Sequence, residues 1–380
     1  MTEMQLDAEL ESRVAELSAS IRESAASGTK LAICGSGSKD FYGNAMIGMP
    51  LDVRGLNGPL RHEPSELVVT AAAGTSLLVL EETLSSANQM LAFEPPHFGS
   101  QATVGGCVAA GLCGPRRIAT GYAGGALRDH VLGAKLLDGR GNLLSFGGTV
   151  IKNVAGYDVA RLLAGSLGIL GVLVEVSLKV VPRPTAEITL AIECDEVAAL
   201  KYFGDWNLQS WPISASSWND GRLLLRLSGA TTAVRMATRA IGGDLLDEQT
   251  AANFWRGVRE QTDSWFALTP EETLWRVSLP AGAPTLDPRK RQSESIFLEW
   301  HGMQRWIKTR DRSHTSLREQ AHGFGGYVTR FRCGVAPDPD SRQIPAFEAL
   351  SPALQAIHQR LKAEFDPSGI FNYNRLQPNF

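Results

Sequence analysis

Cysteine is scarce and ungrouped. Cys34, Cys107, Cys113, Cys194 and Cys333 are spread over 380 residues with no Cys-x-x-Cys pair. Iron–sulfur and zinc sites draw on tighter clusters, so the chain offers no ligand set for either. An odd count without a pairing framework suits a reducing cytosol, not a disulfide-stapled scaffold. The seven histidines are scattered, none at metal-ligand spacing. Charge of one sign is lacking too. Lysine and arginine number 37 against 40 acidic residues, a net charge of −3 with no basic stripe, which argues against a nucleic-acid surface. Long apolar runs are missing. The longest, ILGVLVEVSLKVV, carries Glu175 and Lys179 and falls short of the ~20 residues a membrane-spanning helix needs. The opening MTEMQLDAELESRVAELSASIRE is acidic and amphipathic, unlike a secretory leader.

Glycine is plentiful: 38 residues, many of them between Gly99 and Gly171. The length allows two or three domains. Leu6, Leu10, Val14, Leu17 and Ile21 recur at helical spacing and predict an N-terminal surface helix with one buried face. A strand follows over 31–34, another around 51–53, an extended stretch over 61–73, and a helix that starts near Leu77. Residues 99–125 read as too glycine-rich for a packed helix, so the backbone there must turn repeatedly or approach something closely. HVLGAKLLDGRGNLLSFGG predicts a hairpin, and Val174–Val180 alternates apolar with polar residues as a half-buried strand does. Beyond Pro184 glycine thins and the tryptophans gather between Trp206 and Trp306. Strands at EITLAIEC, GRLLLRLSG and LWRVSLP, with helices at TAVRMATRAIG and 249–262, predict a ferredoxin-like sandwich, single or repeated. Those tryptophans are either its core or a docking surface. Prolines at 337, 339 and 345 mark a second linker before an amphipathic helix and a turn-rich tail.

The stretch LAICGSGSKDFYG leaves a strand through a Gly/Ser turn and exits on Lys39. Gly35, Gly37 and Lys39 stand too close together for a Walker A loop, and Asp40 occupies the place of the third Rossmann glycine. Three further features follow in order: 101–106 with Gly111, 152–158, and 165–172 feeding a strand. Any one of them is an ordinary turn. Together they can supply bare backbone N–H groups to one anion.

At this point CGSGSK, FEPPHFGSQATVGGCVAAG, LRDHVLG, KNVAGYD, GSLGILGVLVEVSLKVVPRP and the terminal FDPSGIFNYNRLQP resemble the PCMH-type FAD-binding domain of the vanillyl-alcohol oxidase (FAD-linked oxidase) superfamily. FGGTVIKNVAGYD, QMLAFEPP and EWHGMQRW are most similar to the FAD-binding E subunits of bacterial glycolate oxidases. The resemblance implies an α+β chain with a two-subdomain PCMH-type FAD-binding fold and a ferredoxin-like α+β cap. The FAD domain would span 1–185, the cap 186–335, and 336–380 would return to the FAD domain. It also implies that Gly35, Ser36, Gly37, Ser38 and Lys39 hydrogen-bond the FAD pyrophosphate. Gln101, Thr103, Val104, Gly105 and Gly106, continued by Ala110 and Gly111, would run along the pyrophosphate, ribityl chain and flavin. Gly168, Ile169, Gly171 and Val172 would lie near the adenine and Asn372 near the flavin ring. Many relatives attach the flavin to a histidine in the first loop. No histidine stands between Gly35 and Lys39, so FAD is expected to be noncovalent. Cys107 and Cys113 read as small buried residues, His97 as a histidine on the surface or just behind the site rather than a catalytic one, and Arg128 with Asp129 as a structural pair.

Oxidation of a hydroxy acid on a flavin requires a cation for the carboxylate and a base for the hydroxyl proton. Self-sufficient relatives bring a His-rich cap motif that this sequence lacks. AHGFGGYVTRFRCG comes nearest, with His322 alone and no carboxylate beside it, while Arg330 and Arg332 alternate along a strand and face one side. No catalytic residue and no metal site is assigned. The reading is therefore a FAD-binding subunit of a glycolate (D-lactate) oxidase or dehydrogenase complex. Its partners would be a larger catalytic FAD subunit and an iron–sulfur subunit. It would be cytoplasmic, reaching the inner membrane only through the complex. The alternatives are a self-sufficient hydroxy-acid or alcohol oxidase and a flavin-free scaffold.

Overall fold

The computed structural model describes residues 2–118, 125–149, 158–291, 295–310, 315–334, 344–378 and 380. Helix α1 (Glu3–Ser27) begins on a Thr2 capping box with Gln5 and stops at Gly28, φ 72°. It buries Leu10, Leu17 and Ile21, the predicted face. Strands β1 (Leu31–Cys34) and β2 (Met49–Asp52) pair in parallel. β3 (Arg61–Glu63) and β4 (Val68–Ala72) follow, divided by a turn at Leu67, φ 56°. Then come α2 (Leu77–Ser86), β5 (Gln89–Met90), α3 (Val104–Ala110), β6 (Val131–Leu137), β7 (Leu143–Gly147), β8 (Val172–Lys179) and β9 (Val181–Pro182). The sheet order is β3-β4-β8-β6-β7, all antiparallel, with the predicted hairpin as β6–β7.

Two expectations fail here for physical reasons. β8 is central and covered on both faces, so its polar members are buried as well as its valines. Glu175 stays there because Lys135 (2.9 Å) and Arg61 (3.4 Å) pair with it, and Ser177 because it bonds Thr70 (2.8 Å). The glycine-rich segment does form a helix, α3. Gly105 is what lets it pack: its N–H donates to Ala73 O at 2.8 Å, and a Cβ there would stand 2.7 Å from Ala73 Cβ. A residue with a side chain could not lie so flat on the end of β4.

The second layer runs through β10 (Ala186–Glu193), α4 (Glu196–Asn207), β11 (Ile213–Asn219), β12 (Arg222–Gly229), α5 (Thr231–Ile241) and β13 (Asp244–Leu245). After α6 (Glu248–Glu260) it repeats as β14 (Thr273–Ser278), α7 (Pro288–Arg291), β15 (Ile296–Glu299), β16 (Gln304–Thr309), α8 (Thr315–Gly323) and β17 (Tyr327–Cys333). The strands make one eight-stranded sheet in the order β13-β10-β12-β11-β15-β16-β14-β17. Each half is a split β-α-β-β-α-β unit, the ferredoxin-like pattern, and the second strands of the two halves meet edge to edge. The repeat was legible, but β11, β13, β15 and β16 were not among the expected strands. The tryptophans prove to be mainly core: Trp218, Trp255, Trp275, Trp300 and Trp306 are buried and none of the eight is exposed.

The chain closes with α9 (Pro352–Phe365) and a tail that returns to the first layer, burying Ile370, Phe371 and Phe380 in its core. An Asp366–Lys362 pair (2.6 Å) fixes the return. The ammonium also donates to Ile169 O and Phe371 O, and the carboxylate accepts from Ile370 N and Phe371 N. A separate core of Tyr42, Ala110, Leu112 and Leu167 against Val258, Phe266, Phe297, Trp306 and Phe331 joins the two layers.

Glu299 is buried in the second layer, accepting from Trp306 Nε1 and Gln304 Nε2 with no cation beside it among the described residues. Burial pushes its carboxyl up from 4.5 to about 7, although both hydrogen bonds act the other way. The folded state therefore holds a proton that the unfolded chain has released, and stability falls as pH rises from about 4.5 to about 7. Glu299→Gln should flatten that slope and stabilise the protein at pH 8 by roughly 2 kcal/mol, read from urea unfolding.

Candidate functional site

A solvent-open groove lies where the end of β1, the start of α3, the turn before β8 and the tail meet. Gly35, Ser36, Gly37, Ser38 and Lys39 form one side, and Thr103, Gly105, Gly106 and Ala110 a second. Gly168, Gly171, Val172 and Asn372 close the third. Four predicted residues do not line it. Val104 and Ile169 point into the core, Gln101 is exposed ahead of α3, and Gly111 caps α3. Gly111 is glycine for a different reason. With φ 64° it lets Gly165 approach so closely that a Cβ would sit 2.7 Å from Gly165 Cα. Of the 152–158 feature, 152–157 lie outside the described residues.

Three contacts hold the walls together. Leu167 N donates to Ala109 O at 2.9 Å, setting the turn against α3. Thr103 caps α3 by accepting from Gly106 N at 3.2 Å. The Asn372 carboxamide accepts from Ile33 N and donates to Leu167 O, both at 2.7 Å. Both ends of that amide are thus used by the protein. The first loop is the opposite case. Among the described residues the N–H groups of Gly35, Ser36, Gly37, Ser38 and Lys39 donate to no protein acceptor, and the loop is closed instead by Asp40 N on Gly37 O at 3.0 Å.

Lys39 turns its ammonium onto His97 O (3.0 Å) and Ser38 Oγ (3.3 Å). Burial lowers its pKa, opposed by nearby Cys107 and Glu260. Glu260, at the end of α6, accepts from the N–H groups of His97 (3.1 Å) and Phe98 (2.8 Å), so the second layer reaches Lys39 through one peptide. Sequence reasoning missed Arg375, which also lines the groove. Its place in the closing segment, three residues after Asn372, was the available signal. Neither Lys39 nor Arg375 has a carboxylate in ion-pair contact among the described residues. Open amides and two cations without carboxylate partners make the groove an anion site.

The other candidates lie off the groove. His97 is buried with Nε2 on Glu81 at 3.1 Å, a structural pair. Asp129 bonds Ala126 N rather than Arg128, closing its own turn. His322 does have a carboxylate beside it, Glu348 from the closing segment, which sequence spacing could not reveal. Arg330 and Arg332 do not share a face. A bulge at Phe331 pairs them with Trp275 and Leu274, which belong to different cores. Arg332 donates to Phe266 O at 3.1 Å and lies over Phe41, while Arg330 is near Arg318.

The "FAD binding domain" family model matches residues 11–159, which carry the first two walls of the groove. Among solved structures, alkyldihydroxyacetonephosphate synthase superposes on 94% of this chain and 75% of its own at a TM-score of 0.67, with 14% identity, a likeness of fold. The chain is thus a PCMH-type FAD-binding flavoprotein with a ferredoxin-like second layer. It is 43% identical over 348 residues to "Glycolate oxidase subunit GlcE" of Escherichia coli (strain K12), covering 92% of this chain and 93% of that one. "Glycolate oxidase subunit GlcD" of Bacillus subtilis (strain 168) is similar over a shorter stretch, 32% over 145 residues, which is 38% of this chain and 29% of that protein. The chain belongs to the glycolate oxidase subunit GlcE family.

Burial pushes the Cys107 thiol up to about 12 and raises Cys113 as well. Neither should react with iodoacetamide at pH 8 in the native protein, and both should do so in urea, as peptide mass spectrometry would record.

Proposed function

We propose that this chain holds FAD noncovalently in the groove and serves as an electron-carrying subunit of a glycolate (D-lactate) oxidase complex. The observation that carries the proposal is the meeting of open amides at Gly35–Lys39 with the glycine wall at Gly105–Gly106. The donor set fits a diphosphate, which takes several N–H groups at once and tolerates no side chain between itself and the backbone. Gly35–Lys39 would take the pyrophosphate, and Thr103–Gly106 with Ala110 the passage toward the flavin. Gly168, Gly171 and Val172 would take the adenine side. Asn372 acts by holding β1 to the 167–168 turn, since its amide is spent on those contacts. Bound FAD supplies acceptance of two electrons and their onward transfer singly.

The chain's own residues bind and orient. No histidine is available in the first loop for a covalent link, and the buried thiols are protonated. Neither His322 nor Glu348 is among the residues that line the groove, so the pair provides no base there. Residues 1–185 and 336–380 form the FAD unit in this reading and 186–335 the cap. Similarity to proteins called glycolate oxidase subunits supports membership of a complex, in which the partners of this reading are a larger catalytic flavoprotein and an iron–sulfur subunit. No helix among the described residues is long and apolar enough to cross a membrane. A cytoplasmic location, with membrane contact through partners, accords with that.

Mixed anaerobically with glycolate, the purified yellow chain should keep its flavin absorbance and bleach only when the partner subunits are added. Bleaching by the chain alone would make it a self-sufficient oxidase, and a colourless chain that cannot be reconstituted would make it a scaffold. The two neighbouring glycines separate cofactor from packing effects. A Cβ on Gly106 meets only Thr103 Oγ1, at 3.1 Å, whereas one on Gly105 meets Ala73. Gly106→Val should lose at least nine-tenths of its flavin with little change in melting temperature. Gly105→Val should lose stability by roughly 2–3 kcal/mol from overpacking.

A further inference from the structure

Arg375 stands outside every residue set assigned from the sequence, yet it grips the far side of the Gly35–Lys39 loop. Nη1 donates to Asn44 O at 2.6 Å and to Asp40 O at 3.3 Å, and Nη2 donates to Lys39 O at 3.4 Å and Asp40 O at 3.3 Å. The main chain adds Asn44 N on Arg375 O at 3.0 Å. Gly43, φ 98°, leaves the room: a Cβ there would lie 3.2 Å from Arg375 Nε. The side chain is buried, and the nearest acidic influence is Asp40, which acts on it without an ion-pair contact among the described residues.

A peptide that turns its N–H toward an anion must keep its carbonyl oxygens away, because they repel the same charge. The exit of this loop presents three further carbonyl oxygens, on Lys39, Asp40 and Asn44, which follow the open amides in the chain, and one planar guanidinium collects all of them. The same guanidinium lines the groove, where its charge has no carboxylate in ion-pair contact among the described residues.

We propose that Arg375 is a positioning residue for the dinucleotide diphosphate: it fixes the exit of the loop through the Lys39, Asp40 and Asn44 carbonyls and leaves its own positive charge beside the open amides. This rests on the groove being the FAD site. It makes the tail part of the phosphate-binding device as well as the closure of the fold.

The test titrates FAD into apoprotein by flavin fluorescence for the wild type, Arg375→Gln and Arg375→Lys, with ADP and adenosine as competitors and melting temperatures recorded in parallel. Arg375→Gln should raise the Kd for FAD at least tenfold and abolish the preference for ADP over adenosine. Arg375→Lys should keep that preference but bind FAD several-fold more weakly, since an ammonium cannot span three carbonyls. A wild-type Kd in Arg375→Gln would overturn the proposal. So would an equal loss of affinity for FAD, ADP and adenosine, which would make Arg375 a prop and nothing more. If the glutamine variant melts too low to titrate, Arg375→Lys decides, and a wild-type Kd there refutes the claim. A wild-type protein that binds no FAD would refute the groove assignment itself, a separate result.

Discussion

The carboxamide of Asn372 is shared between two segments that chain connectivity alone would leave apart. Its oxygen takes the N–H of Ile33, 339 residues earlier, and its nitrogen gives to Leu167, 205 residues earlier. The backbone adds to that joint: Leu31 N donates to Ile370 O at 2.7 Å and Asn372 N to Leu31 O at 2.9 Å, so the tail lies against β1 along its length. Together they bring the loop after β1 and the wall of Gly168–Val172 with Asn372 to one groove, which the start of α3 completes. The buried Lys362–Asp366 pair delivers the tail to this position, since each charge finds backbone partners as well as the other. A buried pair with its remaining valences satisfied fixes a geometry, and losing either partner would strand the other.

The walls differ in how they use polarity. On the tail side every polar atom of Asn372 is spent on protein. On the loop side the amides from Gly35 to Lys39 have no acceptor among the described residues, and the carbonyls of Lys39, Asp40 and Asn44 that follow them are held by Arg375. Small residues matter in between for opposite reasons. Gly105 and Gly111 are small because backbone meets backbone there, and Gly106 because the groove passes over it. The second layer takes part through Glu260, whose carboxylate sets the His97–Phe98 peptide on which Lys39 rests. The groove is thus built from both layers, although its lining comes from the first layer and the tail.

Much of this was legible in the sequence because glycine and short motifs report backbone demands directly. Thirteen of the seventeen predicted residues line one groove. Val104 and Ile169 miss because neighbours in a helix or a turn point in different directions, which a motif does not encode. Helix α3 was hidden by its glycines, whose low helix propensity is overridden by packing on Ala73. The alternation in β8 concealed a strand buried on both faces, because Glu175 and Ser177 found partners only in three dimensions. Arg330 and Arg332 read as one face until the Phe331 bulge separated them. Glu348 and Arg375, both distant in sequence from what they touch, gave little local signal.

Amide hydrogen exchange, followed with and without FAD, addresses the groove most directly. The N–H groups of Gly35–Lys39 have no acceptor among the described residues, so they should exchange quickly in the apoprotein and be strongly slowed when FAD is bound. Stoichiometric FAD binding that leaves those five amides exchanging at the unliganded rate would contradict the account.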